Sequence, residues 1–387
     1  MSNNNFIQFH KIITDNDEIA EVTDAIKSGW LTSGPRAKKF EEEFRKYIGV
    51  NNSIAVSSWT AAAHLSLEAL GVKEGDEVIV PAITFTSTAM TVRYLNATPK
   101  IVDIEPHTLN MDVGELQKAF SKKTKVIVPV HYSGQPCDMD EIVEFASINK
   151  LKVLEDAAHA LPAKYKGRRI GTIGDVTCFS FYATKTLSTG EGGMICSDDT
   201  ELIKRCSVMR LHGISADVWN RYTEKGSWYY EIIAPGYKYN FTDIQAGLGL
   251  AQLKKLESNH LKRCDIAKKY NGAFQNNEYL KTLLLKSDRE TSWHLYPILL
   301  NIDALKISRA EFVVKMKELG IGCSVHFIPL YRHPYYKDLL RLSPEDFPNS
   351  EYAFQREVSL PIWPGMSDEQ INRVIDAVLS LIRDNKR

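Results

Sequence analysis

The chain has 387 residues and a mass of 43.8 kDa, which at roughly 100–200 residues per domain suggests two domains. With 44% hydrophobic and 25% charged residues it has the make-up of a globular protein, which excludes a disordered or fibrous chain. Its 48 basic side chains balance 48 acidic ones, and a net charge of +0 argues against nucleic acid or an anionic membrane as a principal partner.

The opening stretch, MSNNNFIQFHK, lacks a basic segment followed by an apolar run. No run reaches the roughly 18 apolar residues of a membrane span, so a cytoplasmic protein is expected. Residues 16–28 (NDEIAEVTDAIKS) have helical spacing and stop before Gly29, and 36–48 (RAKKFEEEFRKYI) predict a second amphipathic helix, with the loop WLTSGP between them. From residue 53 short apolar runs (SIAVSS, DEVIVP, PKIVDI, KVIVPVHY, LKVLED) alternate with helix-like stretches at 60–70, 86–96 and 138–149. That alternation predicts an α/β fold whose largely parallel central sheet is covered on both faces. Residues 243–275 predict one long helix, and 290–387 read as strand, helix, strand, loop and helix. The expected organisation is a large domain over 1–252 and a smaller C-terminal α/β domain over 253–387. The six cysteines contain no C-x-x-C pair, so neither a disulfide framework nor a metal site is expected.

In an open parallel sheet, ligands collect outside the carboxyl ends of the strands. After SIAVSS come Ser58, Trp59, Thr60, Ala61 and Ala62, where hydroxyls precede a helix whose first backbone N–H groups are free. A phosphate suits that place, and so does a simple cap by Ser58 or Thr60. Glu155 and Asp156 end LKVLED. Asp156 is costly to bury unpaired, and a protonated ring nitrogen, an arginine or a helix N-terminus would compensate it. His159, three residues on, would share a helical face with Asp156.

The segment 175–195, DVTCFSFYATKTLSTGEGGMI, runs from an apolar strand through Ser180 and Lys185 to Gly190, Gly192 and Gly193. It has no G-x-G-x-x-G and no G-x-x-x-x-G-K-[ST], so dinucleotide and P-loop readings lose their support. A lysine acting as a covalent amine fits instead. Pyridoxal phosphate needs such a lysine, an acid facing its pyridine nitrogen and a cup for its phosphate. Lys185, Asp156 and the segment at Thr60 offer all three.

These motifs, in order with GWLTSGP, SSWTAAAHLSLEAL, PAITFTSTAM, PVHYSGQPCDMD, VLEDAAHA, FSFYATKTLSTGEGG, PGYKYNFTDIQAGLGLAQL, SWHLYPI, SVHFIPLYRHPYY and SLPIWPGMSDEQ, resemble the DegT/DnrJ/StrS family of nucleotide-sugar aminotransferases. The resemblance covers nearly the whole chain and is closest to the branch that aminates 4-keto sugars, including the enzyme forming UDP-4-amino-4-deoxy-L-arabinose. It implies the aspartate-aminotransferase-like fold (fold type I), a cofactor alternating between pyridoxal phosphate and pyridoxamine phosphate, and a homodimer with shared active sites. It further implies Lys185 as Schiff-base amine and proton shuttle, Asp156 at the pyridinium nitrogen, His159 near the phenolic oxygen and Phe85 over the ring. Thr60, the Ala61 backbone and Ser180 would hold the phosphate, and Asn240 would come from the neighbouring subunit. Thr32 and His326 resemble substrate-side elements. Left to the residues alone, Asn240 reads equally as a turn or cap residue and Phe85 as core.

Two departures stand out: Trp59 replaces the small residue that relatives carry there, and Tyr182 and Thr186 flank the lysine where His and Asn are usual. The implied reaction is ping-pong transamination from L-glutamate to a nucleotide-linked 4-keto, 6-deoxy sugar. A 3-keto sugar is the alternative, and a non-enzymatic regulator a more distant one. Lys185 speaks against the related dehydratases, in which histidine replaces the lysine.

Overall fold

The computed structural model describes residues 6–215 and 229–387, so the first five residues of the opening stretch read for a leader lie outside it. The chain starts with two helices, α1 (Asn16–Lys27) and α2 (Pro35–Ile48). A capping box of Asp15 and Glu18 opens α1. Helix α2 opens on Pro35 after Gly34, which has no side chain to cap with, so Asp243 supplies the acceptor from far along the chain. Its carboxylate receives the N–H groups of Arg36 at 3.1 Å and Ala37 at 3.0 Å.

Strands and helices then alternate as expected: β1 (Asn52–Val56), α3 (Trp59–Ala69), β2 (Glu77–Pro81), α4 (Ser87–Tyr94), β3 (Thr98–Val102), α5 (Leu116–Ala119), β4 (Thr124–Ile127), α6 (Met139–Asn149) and β5 (Lys152–Asp156). Two short strands, β6 (Lys164–Tyr165) and β7 (Arg168–Arg169), form a hairpin before β8 (Val176–Ser180), β9 (Gly193–Ser197) and α7 (Thr200–Met209). The seven-stranded sheet has the order β1-β9-β8-β5-β4-β2-β3, and every neighbouring pair is parallel except those made by β9. Both faces are covered, which is why its strands read as near-continuous apolar runs. Side chains alternate between two cores: Ile79, Ile127 and Phe179 pack with Phe40, Phe44 and Phe181 on one face, while Val78, Val80 and Cys178 pack with Leu65, Leu67 and Val92 on the other. Phe44 meets Phe181 edge-on at 5.4 Å, and each such ring contributes about 1.5–3 kcal/mol by leaving water.

Helix α8 (Asp243–Phe274) is the predicted long helix. Its first half packs under α1, with Gln252 bonded to the Ile13 carbonyl and to Glu18. Its second half joins a further core with Tyr296, Phe312, Val374 and Ile7. That core covers a three-stranded sheet of β10 (Leu280–Thr282), β12 (Tyr296–Leu300) and β13 (Glu357–Leu360), while β11 (Arg289–Glu290) pairs with β6. The expected division at 252/253 falls inside α8.

Helices α9 (Arg309–Glu318), α10 (Pro334–Leu340), α11 (Pro348–Arg356) and α12 (Asp368–Asp384) complete the chain. The sequence reading of 290–387 lacks α10 and α11. Each starts at a proline, where the missing N–H is harmless, and at 7 and 9 residues each is too short for helical periodicity to declare itself. The strand expected after α9 is β13, which pairs antiparallel with β12 and is bridged by Ser324 at Ser359.

Candidate active site

The carboxyl ends of the parallel strands, the N-terminus of α3 and the start of β9 surround a cavity of about 570 Å³. Asp156 closes β5 and is buried in it. One carboxylate oxygen accepts the Thr88 hydroxyl at 2.9 Å, the other the Ala158 N–H at 3.1 Å, and Thr88 is bonded in turn to Thr84 at 2.7 Å. Among the described residues no cation forms an ion pair with it. Burial pushes its pKa up to about 6, against the pull of Ala158, Thr88 and Lys185. Its neighbour Glu155, also buried, is fully used inside the protein. It bonds His131 at 3.1 Å, Thr177 at 2.9 Å and the Gly174 N–H at 2.8 Å.

Lys185 lies on the loop that joins β8 to β9 and lines the same cavity. Burial lowers its amine to about 8, with Asp156 acting the other way. A desolvated amine and a desolvated carboxylate thus face one space, each with a pKa moved toward neutrality by the cost of its own charge.

His159 also lines the cavity, but not by sharing a helical face with Asp156. Residues 157–160 form a turn after β5, closed by the Ala160 N–H on the Ala157 carbonyl at 3.0 Å. The strand ends at the carboxyl rim of the sheet, so a turn rather than a helix separates Asp156 from His159. Among the described residues His159 Nδ1 is buried without a partner, and burial, with Lys185 and His326 nearby, holds the ring neutral. Its ring centroid lies 4.4 Å from that of His294.

Thr60, Ser180, Phe85 and His326 line the same cavity. Ser58 is the cap of α3 and accepts the Ala61 N–H at 3.0 Å, so Ala61 itself stays outside the lining. Thr60 bonds Ser87 at 3.1 Å. Phe85 is not core, for it is 59% exposed and faces the opening 6.0 Å from the Phe327 ring. The indole of Trp59 is folded down beside the cavity, its N–H on the Cys178 carbonyl at 3.0 Å. Thr32 and Asn240 are outside the lining. The Thr32 carbonyl accepts the Asp243 N–H, while Asn240 bonds Ser33 at 2.9 Å and bridges Val56, so both lie beside the end of β1, next to the cavity but not in its lining.

Sequence reasoning missed Phe9, His10, Thr88 and His294. The first two arrive on the N-terminal segment, which carries no motif, and Thr88 and His294 sit inside motifs in which nothing distinguishes a polar lining residue from a cap. Gly193 was singled out only as a glycine. Here a Cβ would lie 2.6 Å from the Ser58 carbonyl carbon and oxygen. Gly193→Ala is therefore expected to push the first turn of α3 away from β9, lowering affinity for the pyridoxal phosphate that the sequence resemblance implies by about tenfold, the worth of one hydrogen bond, while α8 and the small sheet stay folded; fluorescence titration checks the first and circular dichroism the second.

Residues 13–379 match the sequence profile of the DegT/DnrJ/EryC1/StrS aminotransferase family. The chain belongs to that family. This aminotransferase is 51% identical over 370 residues to the uncharacterized protein MJ1066 of Methanocaldococcus jannaschii, covering 96% of each chain. It is 46% identical over 381 residues to the spore coat polysaccharide biosynthesis protein SpsC of Bacillus subtilis, covering 98% of each. Among solved structures it resembles Spr1654 of Streptococcus pneumoniae, assigned as a sugar aminotransferase and solved in a pyridoxamine-phosphate form. The TM-score is 0.90 at 33% identity, over 98% of this chain and 99% of that one; a pyridoxal-phosphate form of the same protein matches equally. The aminotransferase accordingly has fold type I. Among its described residues no helix is long and apolar enough to cross a membrane, and no group of histidine, cysteine and carboxylate side chains is placed to hold a metal ion.

Proposed function

We propose that this aminotransferase uses pyridoxal phosphate to carry an amino group from L-glutamate to a nucleotide-linked 4-keto-6-deoxy sugar, on the way to an amino sugar of a surface polysaccharide or glycan. The observation that carries the reading is one cavity holding a buried carboxylate, Asp156, that has no ion pair among the described residues, and a desolvated amine, Lys185, beside the N-terminus of α3 that Ser58 caps. The residues present fit the cofactor. Among the described residues Asp156 has no ion-pair partner, a place that a pyridinium nitrogen would take, and His159 Nδ1 has no hydrogen-bond partner. The close approach of Gly193 to Ser58 shapes a cradle floored by backbone. The naming of SpsC for spore coat polysaccharide biosynthesis and the two cofactor forms of Spr1654 point the same way.

Bound there, pyridoxal phosphate supplies an electrophilic carbon and a ring that accepts the electron pair released when the donor's Cα–H bond breaks. Asp156 keeps the proton on the ring nitrogen in place. Lys185 Nζ holds the cofactor covalently at rest, takes the proton from the donor Cα, and in the second half-reaction delivers a proton to the sugar carbon. Burial disfavours the cationic form of that amine, which suits one group to both accepting and donating a proton. Thr60, Ser180 and the first N–H groups of α3 hold the phosphate, with the Ala61 N–H joining when Ser58 yields it. His159 stands by the phenolic oxygen and Phe85 covers the ring, which accounts for an exposed aromatic side chain at the cavity mouth. His326 and Thr32 contact substrate. Thr32 and Asn240 lie side by side outside this cavity, an arrangement suited to reaching into the cavity of a second copy, so the working unit is a homodimer with shared sites. The large domain spans 1–252 and the small one 253–387, with α8 crossing between.

The test is the visible spectrum of the purified protein with pyridoxal phosphate, followed through addition of L-glutamate and then UDP-, dTDP- and GDP-linked 4-keto sugars. A cofactor band that glutamate bleaches and one 4-keto sugar restores is the expected result. Restoration by 3-keto sugars alone overturns the sugar assignment, and no band at all overturns the cofactor.

A further inference from the structure

Behind His326 lies a hydrogen-bonded chain that the reaction above does not use. Alternation along β13 places Glu357 and Ser359 on one side of the strand, facing the segment that carries His326. The His326 backbone N–H donates to Glu357 Oε2 at 2.9 Å, the Ser359 hydroxyl bonds Glu357 Oε1, and His326 Nδ1 lies 2.9 Å from Ser359 Oγ. The Tyr132 hydroxyl fixes the backbone by donating to the His326 carbonyl. Glu357 and Ser359 are almost wholly buried, and Glu357 has no ion pair among the described residues. His326 lines the cavity, and its Nε2 bonds no group of the described residues.

Counting protons fixes what Nε2 can do. Ser359 has one hydroxyl proton. Facing an ionised Glu357, which only accepts, it must donate there; it then accepts from His326, so Nδ1 carries the ring proton and Nε2 presents a lone pair. Facing a protonated Glu357, Ser359 accepts instead and donates to Nδ1, and Nε2 carries the proton. Passing from the second pattern to the first shifts one proton along each link and releases one from Nε2 into the cavity. We propose that Glu357 and Ser359 are positioning residues that set the tautomer of His326, and so decide whether the cavity offers the sugar a hydrogen-bond donor or an acceptor at Nε2.

The surroundings suit such a device. Burial, with Lys185 behind it, holds His326 at about 3, so its ring stays neutral and the tautomer is the only variable. Burial pushes Glu357 up to about 8, against Ser359, the His326 N–H and the cation of Arg309 on α9. Tyr132 and Cys323 face the same carboxylate, and burial holds both protonated. Lys185 and His159 are the titratable groups facing His326 from the large sheet, with Phe9 and Phe327 as its apolar neighbours.

The effect on sugar rests on the sugar-aminotransferase reading; the tautomer itself does not, so two measurements separate them. In cofactor-free protein labelled with 15N-histidine, the His326 signals are identified by their loss in His326→Gln. Raising the pH through the Glu357 titration should convert Nε2 from protonated to lone-pair nitrogen. Glu357→Gln, isosteric and able to donate to Ser359 while accepting from the backbone, should lock Nε2 protonated at every pH, and Ser359→Ala should leave a tautomer mixture that ignores pH. In holoenzyme, kcat/KM for the fastest 4-keto sugar in the wild type is divided at each pH by the same quantity in Glu357→Gln, which removes the titration of Lys185 that the two proteins share. That quotient should change about tenfold across one inflection, the worth of one hydrogen bond. The Glu357→Gln profile by itself should lack that inflection. A lone-pair Nε2 in Glu357→Gln, or a wild-type inflection surviving in it, overturns the proposal. Failure of glutamate to bleach the cofactor band would instead overturn the enzymatic reading and leave the tautomer measurement standing.

Discussion

Lys185→Ala should reduce transamination by about 10⁴-fold, the upper end of what one positioned acid–base group supplies. Its amine serves both half-reactions, so rapid-mixing traces should show the loss equally in bleaching by glutamate and in recovery with sugar. The cofactor-free protein should respond in the opposite sense when the charge is removed without leaving a hole. The folded amine titrates near 8, below its ordinary 10.5. Between those values the unfolded chain binds more protons than the folded one, so stability rises with pH across that window. Below pH 8 the full cost of the buried charge is present. Lys185→Met should therefore stabilise the cofactor-free protein at pH 7 by about 2–4 kcal/mol, read by chemical denaturation. Equal stability of variant and wild type would mean that the amine is not desolvated.

Asp156→Asn is the second large effect. Turnover should drop about 10²–10³-fold, the usual loss when a preorganised charge is removed from a water-poor site, because the ring nitrogen loses the partner that holds its proton. The substitution is well tolerated sterically. The Ala158 N–H keeps an acceptor, and Thr88 turns its hydroxyl toward Thr84 to accept from the new amide. In the absence of cofactor Asp156 titrates near 6 rather than 3.8. A raised acid contributes stability that is complete below its unfolded pKa and lost as pH rises through the folded one. The wild type should therefore lose stability between about pH 4 and 6 relative to the variant, and trail it by about 2–3 kcal/mol at pH 7. Because Asp156 also holds the Lys185 amine up, the two substitutions should be non-additive in a double-mutant cycle.

The sheet was legible because both its faces are buried: the centres of runs such as DEVIVP and KVIVPVHY are continuously apolar, without the polar alternation of a half-exposed strand. Helical spacing that stops before Gly29 made α1 legible, and an unbroken run rich in Lys, Leu and Ala made α8 so. The reversal of β9 was not, since an antiparallel strand buried on both faces reads like its parallel neighbours. Asp156 was readable because a carboxylate ends a buried-looking strand where an unpaired charge is costly, and Lys185 because it stands between an apolar strand and a run of glycines. His10 and His294 were not, for a neutral imidazole costs little to bury and leaves no mark on the pattern. The supposed helical face of Asp156 and His159 shows the limit of spacing arguments. Three residues apart means one face only inside a helix, and the strand's exit at the carboxyl rim of the sheet supplied a turn instead.

Asp243 has a consequence for the order in which the molecule is made. The first turn of α2 has no acceptor of its own and borrows one from a carboxylate that the ribosome adds some two hundred residues later. Helix α1 depends on the same late arrival, since Gln252 and Lys255 hold its beginning. Synthesised first, these two helices cannot complete their bonds to Asp243, Gln252 and Lys255 until α8 has been made, although Phe40 and Phe44 of α2 already find partners in the earlier sheet.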